Sequence, residues 1–219
     1  MRLIYPFIIG SILGSFLGVV IDRFPTGETI IFGRSHCNGC QKILRAWELI
    51  PILSALISGF RCRSCHIRIP FWYAELELAC GLLFVGSYSG LLNLSQTTML
   101  LMSAILSIFD WKYHEFPLVV WTIFTTLIFF ISPFQPLNFI WLFLSVLAEF
   151  IDLKIGSGDL LWLYDAALTL TLLQVIWVVQ IASLIGIFLY FLIKKNNEIA
   201  FIPCLTVAYI MVSFFLQVP

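Results

Sequence analysis

The chain has 219 residues, 61% of them hydrophobic and 11% charged, with a mean hydropathy of +1.02 and no formal net charge. No water-soluble fold buries that much apolar surface, so the composition excludes an ordinary soluble domain and makes lipid the solvent for most of the chain. The partners to expect are a bilayer and other apolar segments, with no nucleic acid among them.

A helix needs roughly 20 mostly apolar residues to cross hydrocarbon, because every backbone group there must be satisfied within the segment. On that measure eight spans are read, over Leu3 to Ile21, Pro70 to Gly90, Ser95 to Phe109, Pro117 to Ser132, Leu137 to Leu153, Leu160 to Ile176, Val178 to Ile193 and Ile199 to Val218. The expected fold is an all-α polytopic membrane protein. The first span lacks the features of a removable signal: Arg2 is its only basic lead-in, and no small-x-small site precedes Asp22 and Arg23. Between spans six and seven only Gln174 and Gln180 break the apolar run, so a single long helix is the alternative there. Pro133 and Pro136 flank a short connection between spans four and five.

The loop after span one holds Arg23, Arg34, Lys42, Arg45, Arg61, Arg63 and Arg68. Lys112, Lys154, Lys194 and Lys195 fall in short loops on the same side of an eight-span arrangement. Only Arg2 lies opposite. By the positive-inside rule that side is the cytoplasm, and both termini face outward. The domain reading is therefore a first span over 1–21, a cytoplasmic insert over 22–69, and a transmembrane bundle over 70–219, with no internal repeat in view. Trp72, Trp111, Trp162 and Trp177 read as interfacial anchors.

The insert carries four of the six cysteines in two C-x-x-C pairs, Cys37-Asn38-Gly39-Cys40 and Cys62-Arg63-Ser64-Cys65, separated by 21 residues. On the reducing side of a membrane such pairs are poor disulfides and good metal knuckles. Four thiolates close a tetrahedral zinc site, which would fold an insert too small for a core of its own, with Gly39 easing the tight turn. His36 and His66 adjoin the knuckles but are not needed as ligands. Cys80 and Cys204 sit in apolar spans and read as packing residues.

Acids at the edges of spans are the place to look for chemistry. They are Glu75, Glu77, Asp110, Glu115, Glu149, Asp152, Asp159 and Asp165. Two stand out. Asp110 ends span three in Leu106-Ser107-Ile108-Phe109-Asp110, and Asp159 follows Gly156-Ser157-Gly158 at the entry to span six. The charge-derived topology brings both to one face, where two carboxylates sharing a proton form a peptide-cleaving dyad: one activates water while the other polarises the scissile carbonyl. Gly156 and Gly158 would let an extended substrate backbone approach. The bland alternative is a glycine turn with Asp159 as helix N-cap.

Taken together these residues resemble the type IV prepilin peptidases, the leader peptidase and N-methyltransferase family of GxGD aspartyl proteases. Gly14-Ser15-Phe16-Leu17 with Arg23-Phe24-Pro25 is similar to the family's opening span, and the knuckles to its zinc domain. Pro51-x-x-Ser54, Gly59-x-Arg61-Cys62-Arg63-x-Cys65, Ile69, Tyr73 and Glu77 follow the stretch into its second span. Asp110 with Pro117, Gly156-Ser157-Gly158-Asp159, and Ile202-Pro203 resemble the two aspartate motifs and the last-span signature.

The resemblance implies cleavage of prepilin-like or pseudopilin precursors at the cytoplasmic face, after a glycine that ends a basic leader. It makes Asp110 and Asp159 the catalytic pair and Cys37, Cys40, Cys62 and Cys65 the ligands of a structural zinc. It also implies S-adenosylmethionine-dependent N-methylation of the product, with Glu77 as the retained residue associated with it. Gly18, Ala74, Leu161 and Phe116-Pro117-Leu118 depart from the family's usual Asn, Pro, Lys and Ile-Pro-Asp. The Asp110-Trp111-Lys112-Tyr113-His114 stretch is more similar to competence-type enzymes of Gram-positive bacteria. A non-catalytic zinc-binding membrane scaffold or transporter would leave both aspartates dispensable, and a presenilin-like protease would not call for four cysteines.

Overall fold

The structure is a computed structural model that describes residues 2–30, 32–133, 136–150, 156–193 and 200–215. Lys154, Lys194 and Lys195 of the charge pattern, and Asp152 of the span-edge acids, lie outside the described residues. Among the described residues the regular structure is helical, with two isolated bridges and irregular turns between the helices: α1 Ile4–Arg23, a 3-10 turn Ala46–Leu49, α2 Leu53–Ile57, α3 Trp72–Tyr88, α4 Leu94–Tyr113, α5 Leu118–Ile131, a second 3-10 turn Pro136–Asn138, α6 Phe139–Phe150, α7 Ser157–Thr169, α8 Leu172–Ile193 and α9 Ile202–Phe215. The chain divides into two units, Met1–Asn93 and Leu94–Pro219.

Each of the eight spans read from the sequence corresponds to a helix. Among the described residues two of these, Ile4–Arg23 and Leu172–Leu192, are long and apolar enough by length and composition to cross a membrane. The α8 surface is apolar outward, with Leu184, Phe188 and Phe191 exposed.

The first unit is organised by α1 against α3. Gly10, Gly14 and Gly18 form a stripe along α1, and a Cβ on any of them would run into α3. At Gly10 it would strike the Cys80 carbonyl, at Gly14 it would lie 2.8 Å from the Glu77 Cα, and at Gly18 3.1 Å from the Tyr73 ring. The partner falls by about four positions as the glycine number rises by four, which makes the pair antiparallel. Close backbone approach through small residues is how apolar helices associate where no hydrophobic force distinguishes helix from lipid. It also accounts for glycine at position 18: the Tyr73 ring occupies the space of a side chain. At the end of α1 the buried Arg23 guanidinium donates to the carbonyls of Thr29 (2.9 Å) and Arg34 (3.4 Å), folding the start of the insert back onto the helix.

In the second unit three expectations are corrected. The break between spans six and seven falls at Leu170 and Thr171, not near Trp177, and α7 and α8 are separate helices. Gln174, read as a break, instead caps α8: its Oε1 accepts from the backbone N–H and the hydroxyl of Thr171, both at 3.0 Å. Trp162 is no interfacial anchor. It is fully buried, with its indole N–H donating to Ser103 Oγ of α4 at 2.9 Å. Finally, α4 does not stop at Phe109 but continues to Tyr113, where His114, at φ 51°, ends it.

Replacing Gly14 by Leu is expected to destabilise the α1–α3 pair by at least about 1–3 kcal/mol through overpacking. The check is a lowered thermal midpoint for the detergent-solubilised protein, with Ile12→Leu, on the exposed face of α1, leaving it unchanged.

Candidate functional site

The described residues carry two chemistry-bearing groups, one in each unit. In the first unit the ligand atoms of Cys37, Cys40, Cys62 and Cys65 all lie within 4.8 Å of one another, and no histidine joins them. The two knuckles share one backbone design offset by 25 residues. Cys37 N–H donates to Lys42 O and Gln41 N–H to Cys37 O, while Cys62 N–H donates to Ile67 O and His66 N–H to Cys62 O. Bridges 36–43 and 61–68 close both loops. This is a local structural repeat that the sequence hides, since little beyond C-x-x-C is shared.

The left-handed residues are Gln41 and His66, each at φ 57°, so the turn does not depend on Gly39 as expected. Gly39 is small for a different reason: a Cβ there would lie 3.0 Å from Ile67 of the other knuckle. Gly39 N–H and Ser64 N–H each point at a cysteine sulfur, of Cys37 and Cys62, at 3.4 Å. Backbone N–H groups of Cys65 and Ser64 bring the Cys62 thiol down to about 6, which favours the thiolate that binds metal. A tetrahedral ion with metal–sulfur bonds of about 2.3 Å sets its sulfurs about 3.8 Å apart. Cys37 and Cys65 sulfurs stand at 3.7 Å and no pair of the four exceeds 4.8 Å, so the cluster is of a size that could hold such an ion.

In the second unit Asp110 lies one turn from the end of α4 and Asp159 in the first turn of α7, both just beyond the apolar spans read from Ser95 to Phe109 and from Leu160 to Ile176. Asp159 is not the N-cap. That position is Gly156, whose carbonyl accepts the Asp159 N–H at 3.1 Å, which leaves the Asp159 carboxyl uncommitted to capping.

Asp110 Oδ2 accepts the backbone N–H of Ile202, the first residue of α9, at 3.0 Å. This contact is absent from the sequence reading, although Pro203 marks a helix start, where orphan N–H groups and the positive end of the helix dipole attract a carboxylate. Ser107 and Thr206 hydroxyls, 3.0 Å apart, tie the same two helices together one turn earlier. Gly158 meets the Phe116 ring, which would lie 2.6 Å from an added Cβ, so the segment after Asp110 packs on the turn that carries Asp159. A Cβ at Gly156 would lie 3.0 Å from Asp159 Oδ2.

The two carboxyls differ in their surroundings. Burial raises Asp110, opposed by the Ile202 N–H. Burial first, and the Asp110 charge second, push Asp159 up to about 7. The pair titrates as a unit in which Asp110 ionises first and its charge then holds the Asp159 proton. Cys204 of α9 lies within charge range of both.

The remaining acids separate by burial. Glu75, Glu115 and Glu149 are exposed. Asp165 is fully buried inside the second unit, with Oδ2 accepting from the Thr125 hydroxyl at 3.0 Å. Glu77 is buried in the first unit, where its Oε2 accepts the Ile52 N–H at 2.7 Å.

Residues 8–90 match the family described as Bacterial Peptidase A24 N-terminal domain. Three relatives show the same similarity. A prepilin leader peptidase/N-methyltransferase of Myxococcus xanthus (strain DK1622) is 43% identical over 81 residues, covering 37% of this chain and 24% of the relative. One of that name from Bacillus subtilis (strain 168) is 44% identical over 81 residues, covering 37% and 33%. A type 4 prepilin-like proteins leader peptide-processing enzyme of Escherichia coli O78:H11 is 37% identical over 94 residues, covering 35% of each. The chain thus spans between a quarter and about a third of the relatives it matches, and the resemblance to the type IV prepilin peptidases is borne out over the N-terminal unit. No solved structure matches.

The chain purified under reducing conditions is expected to hold one thiophilic divalent ion, measured by elemental analysis. Cys62→Ser should lower the occupancy, and a strong chelator should strip the ion and expose the four thiols to a maleimide reagent.

Proposed function

We propose that the chain is an intramembrane aspartyl endopeptidase that removes the leader of prepilin or pseudopilin precursors, cutting after glycine at the cytoplasmic face of the cell membrane. The observation that carries this reading is the unlike pair of carboxyls, Asp110 beside the α9 N-terminus and Asp159 holding its proton to about 7. The names of the relatives matched through the first unit support the substrate class.

In this reading ionised Asp110 takes a proton from water, which attacks the scissile carbonyl, while Asp159 gives its proton to the carbonyl oxygen. Collapse of the tetrahedral species breaks the C–N bond as the proton held by Asp110 passes to the leaving amine and a hydroxyl proton of the tetrahedral carbon returns to Asp159, which leaves a carboxylic acid, a free amine and both aspartates in their starting states. Asp110 suits the base because the Ile202 N–H stabilises the ionised form in which it begins and ends the cycle. Gly156 keeps the space beside Asp159 open to an extended substrate backbone, and Gly158 seats the Phe116 ring rather than crowding it.

The basic loops support a multi-pass topology with the insert and the carboxyl pair toward the cytoplasm. Zinc, held by Cys37, Cys40, Cys62 and Cys65, is structural and folds the insert. N-methylation of the new N-terminus from S-adenosylmethionine is proposed on the relatives' names. Glu77, whose carboxylate is engaged by Ile52, contributes to it by holding the insert against α3, and no group among the described residues is assigned to the sulfonium donor.

The test is co-expression with a precursor whose basic leader ends in glycine. Wild type should shift the precursor on a gel, and Asp110→Asn and Asp159→Asn should each lower the cleavage rate by at least about 10²-fold while still accumulating in the membrane. A methylated product would weigh about 14 Da more than the bare fragment, one CH₂. Equal cleavage by both variants would overturn the mechanism, and intact precursor with wild type would favour the scaffold.

The pH dependence follows from the pair. Asp159, raised to about 7, is protonated below that pH and loses its proton above it, so the cleavage rate should fall as pH rises through about 7. On the acid side the rate should fall as Asp110 takes up a proton, at a pH above the ordinary aspartate range. A profile of initial rates in reconstituted vesicles checks both limbs.

A further inference from the structure

The insert exposes an apolar surface that neither the metal cluster nor the carboxyl pair uses. In the 3-10 turn and α2 no side chain is buried. Trp47, Leu49, Ile50, Leu53, Leu56 and Ile57 are all exposed, Ile57 to 73%. A contiguous patch of this kind outside a span marks an interaction surface.

Two observations say what covers it. The first is depth. Ile52, in the middle of the segment, donates its N–H to Glu77 Oε2 at 2.7 Å, and Glu77 lies five residues beyond Trp72, the first residue of α3, about 8 Å along the α3 axis. The connection is short and directed. Ile52 sits at φ 61°, ψ −52°, with the Leu53 N–H donating to the Pro51 carbonyl, a γ-turn that a β-branched residue adopts only under constraint. The Glu77 carboxylate, accepting the Ile52 N–H, holds that turn beside the second turn of α3.

The second observation is charge. Residues 24–71 carry Arg34, Lys42, Arg45, Arg61, Arg63 and Arg68 against Glu28 and Glu48, so the insert stays cationic even after a four-thiolate metal centre contributes two negative charges. The Arg45 guanidinium lies over the Trp47 ring, 5.2 Å from its centroid, an aromatic and a cation paired at the patch edge. Glu48, the one acid in the segment, is turned back on the Arg45 N–H at 2.8 Å.

We infer that Ala46–Ile57 is an interfacial segment embedded in the headgroup layer of an anionic bilayer, fastened there by the Glu77–Ile52 hydrogen bond. This rests on the membrane-spanning reading of α1 and α3 given above. Apolar side chains enter the acyl boundary while the flanking basic residues meet lipid phosphates. The insert then lies on the membrane rather than standing off it.

The experiment uses the full chain in vesicles of phosphatidylcholine with phosphatidylglycerol, bearing the photocrosslinker p-benzoylphenylalanine in place of Ile57, Asn38 or Leu184, with adducts identified by mass. Lipid adducts at Ile57 as abundant as those at Leu184 of α8, with none at the exposed knuckle residue Asn38, are expected. Glu77→Gln, which keeps a carbonyl acceptor for Ile52, should retain the Ile57 adduct, and Glu77→Ala should lose it. An Ile57 adduct to a second chain or to a co-reconstituted precursor, or no adduct while Leu184 labels, overturns the inference. Absence of lipid adducts at Leu184 as well would instead overturn the membrane-spanning reading beneath it.

Discussion

A carboxyl group at the edge of an apolar bundle is costly as an ion unless something on the protein stabilises its charge, and in this molecule the Ile202 N–H at the start of α9 does so for Asp110. The rest of the candidate site follows from that bond. With Asp110 ionised, its charge and the burial around Asp159 keep the second proton in place. In the proposed mechanism two residues of one chemical type are thereby divided into a base and an acid by their surroundings. The helices that deliver them are joined independently, α4 to α9 through Ser107 and Thr206, and α4 to α7 through Trp162 and Ser103.

The first unit solves a different problem with similar economy. Its insert has almost no apolar interior, so four sulfurs gathered by two identical knuckles stand in for a core. The glycine stripe of α1 lets α3 approach within backbone contact, and Glu77 on α3 reaches out to hold the strained turn at Ile52. The acid singled out for methyl transfer thus has a mechanical role in the geometry, as the link between helix and insert.

Much of this was legible in the chain. Eight apolar runs, the two C-x-x-C pairs and the two aspartates could be read because each is local in sequence: a run of composition, a spacing, or an acid where hydrocarbon should be. What escaped was decided by long-range packing. Trp162 looks like an interfacial ring until α4 covers it. Gly39 and Gly158 look like flexible backbone until Ile67 and Phe116 are found pressed against them. The α7–α8 break is hard to place because Gln174 looks like a polar interruption, while the Thr171-x-x-Gln174 pattern is itself a helix-start signal. The Asp110–Ile202 bond, across 92 positions, had only Pro203 to announce it.

The central claim is that the pair carries one proton just below neutral pH and that Asp159 holds it. Infrared difference spectroscopy of the reconstituted protein, wild type against Asp159→Asn and Asp110→Asn, reads this directly. Between the pH at which Asp110 takes up its own proton and about 7, the account predicts that the protonated-carboxyl band loses one component in Asp159→Asn and keeps it in Asp110→Asn, where it titrates away at a lower pH because the Asp110 charge is gone. A band unchanged in Asp159→Asn, or one lost only with Asp110, would contradict it.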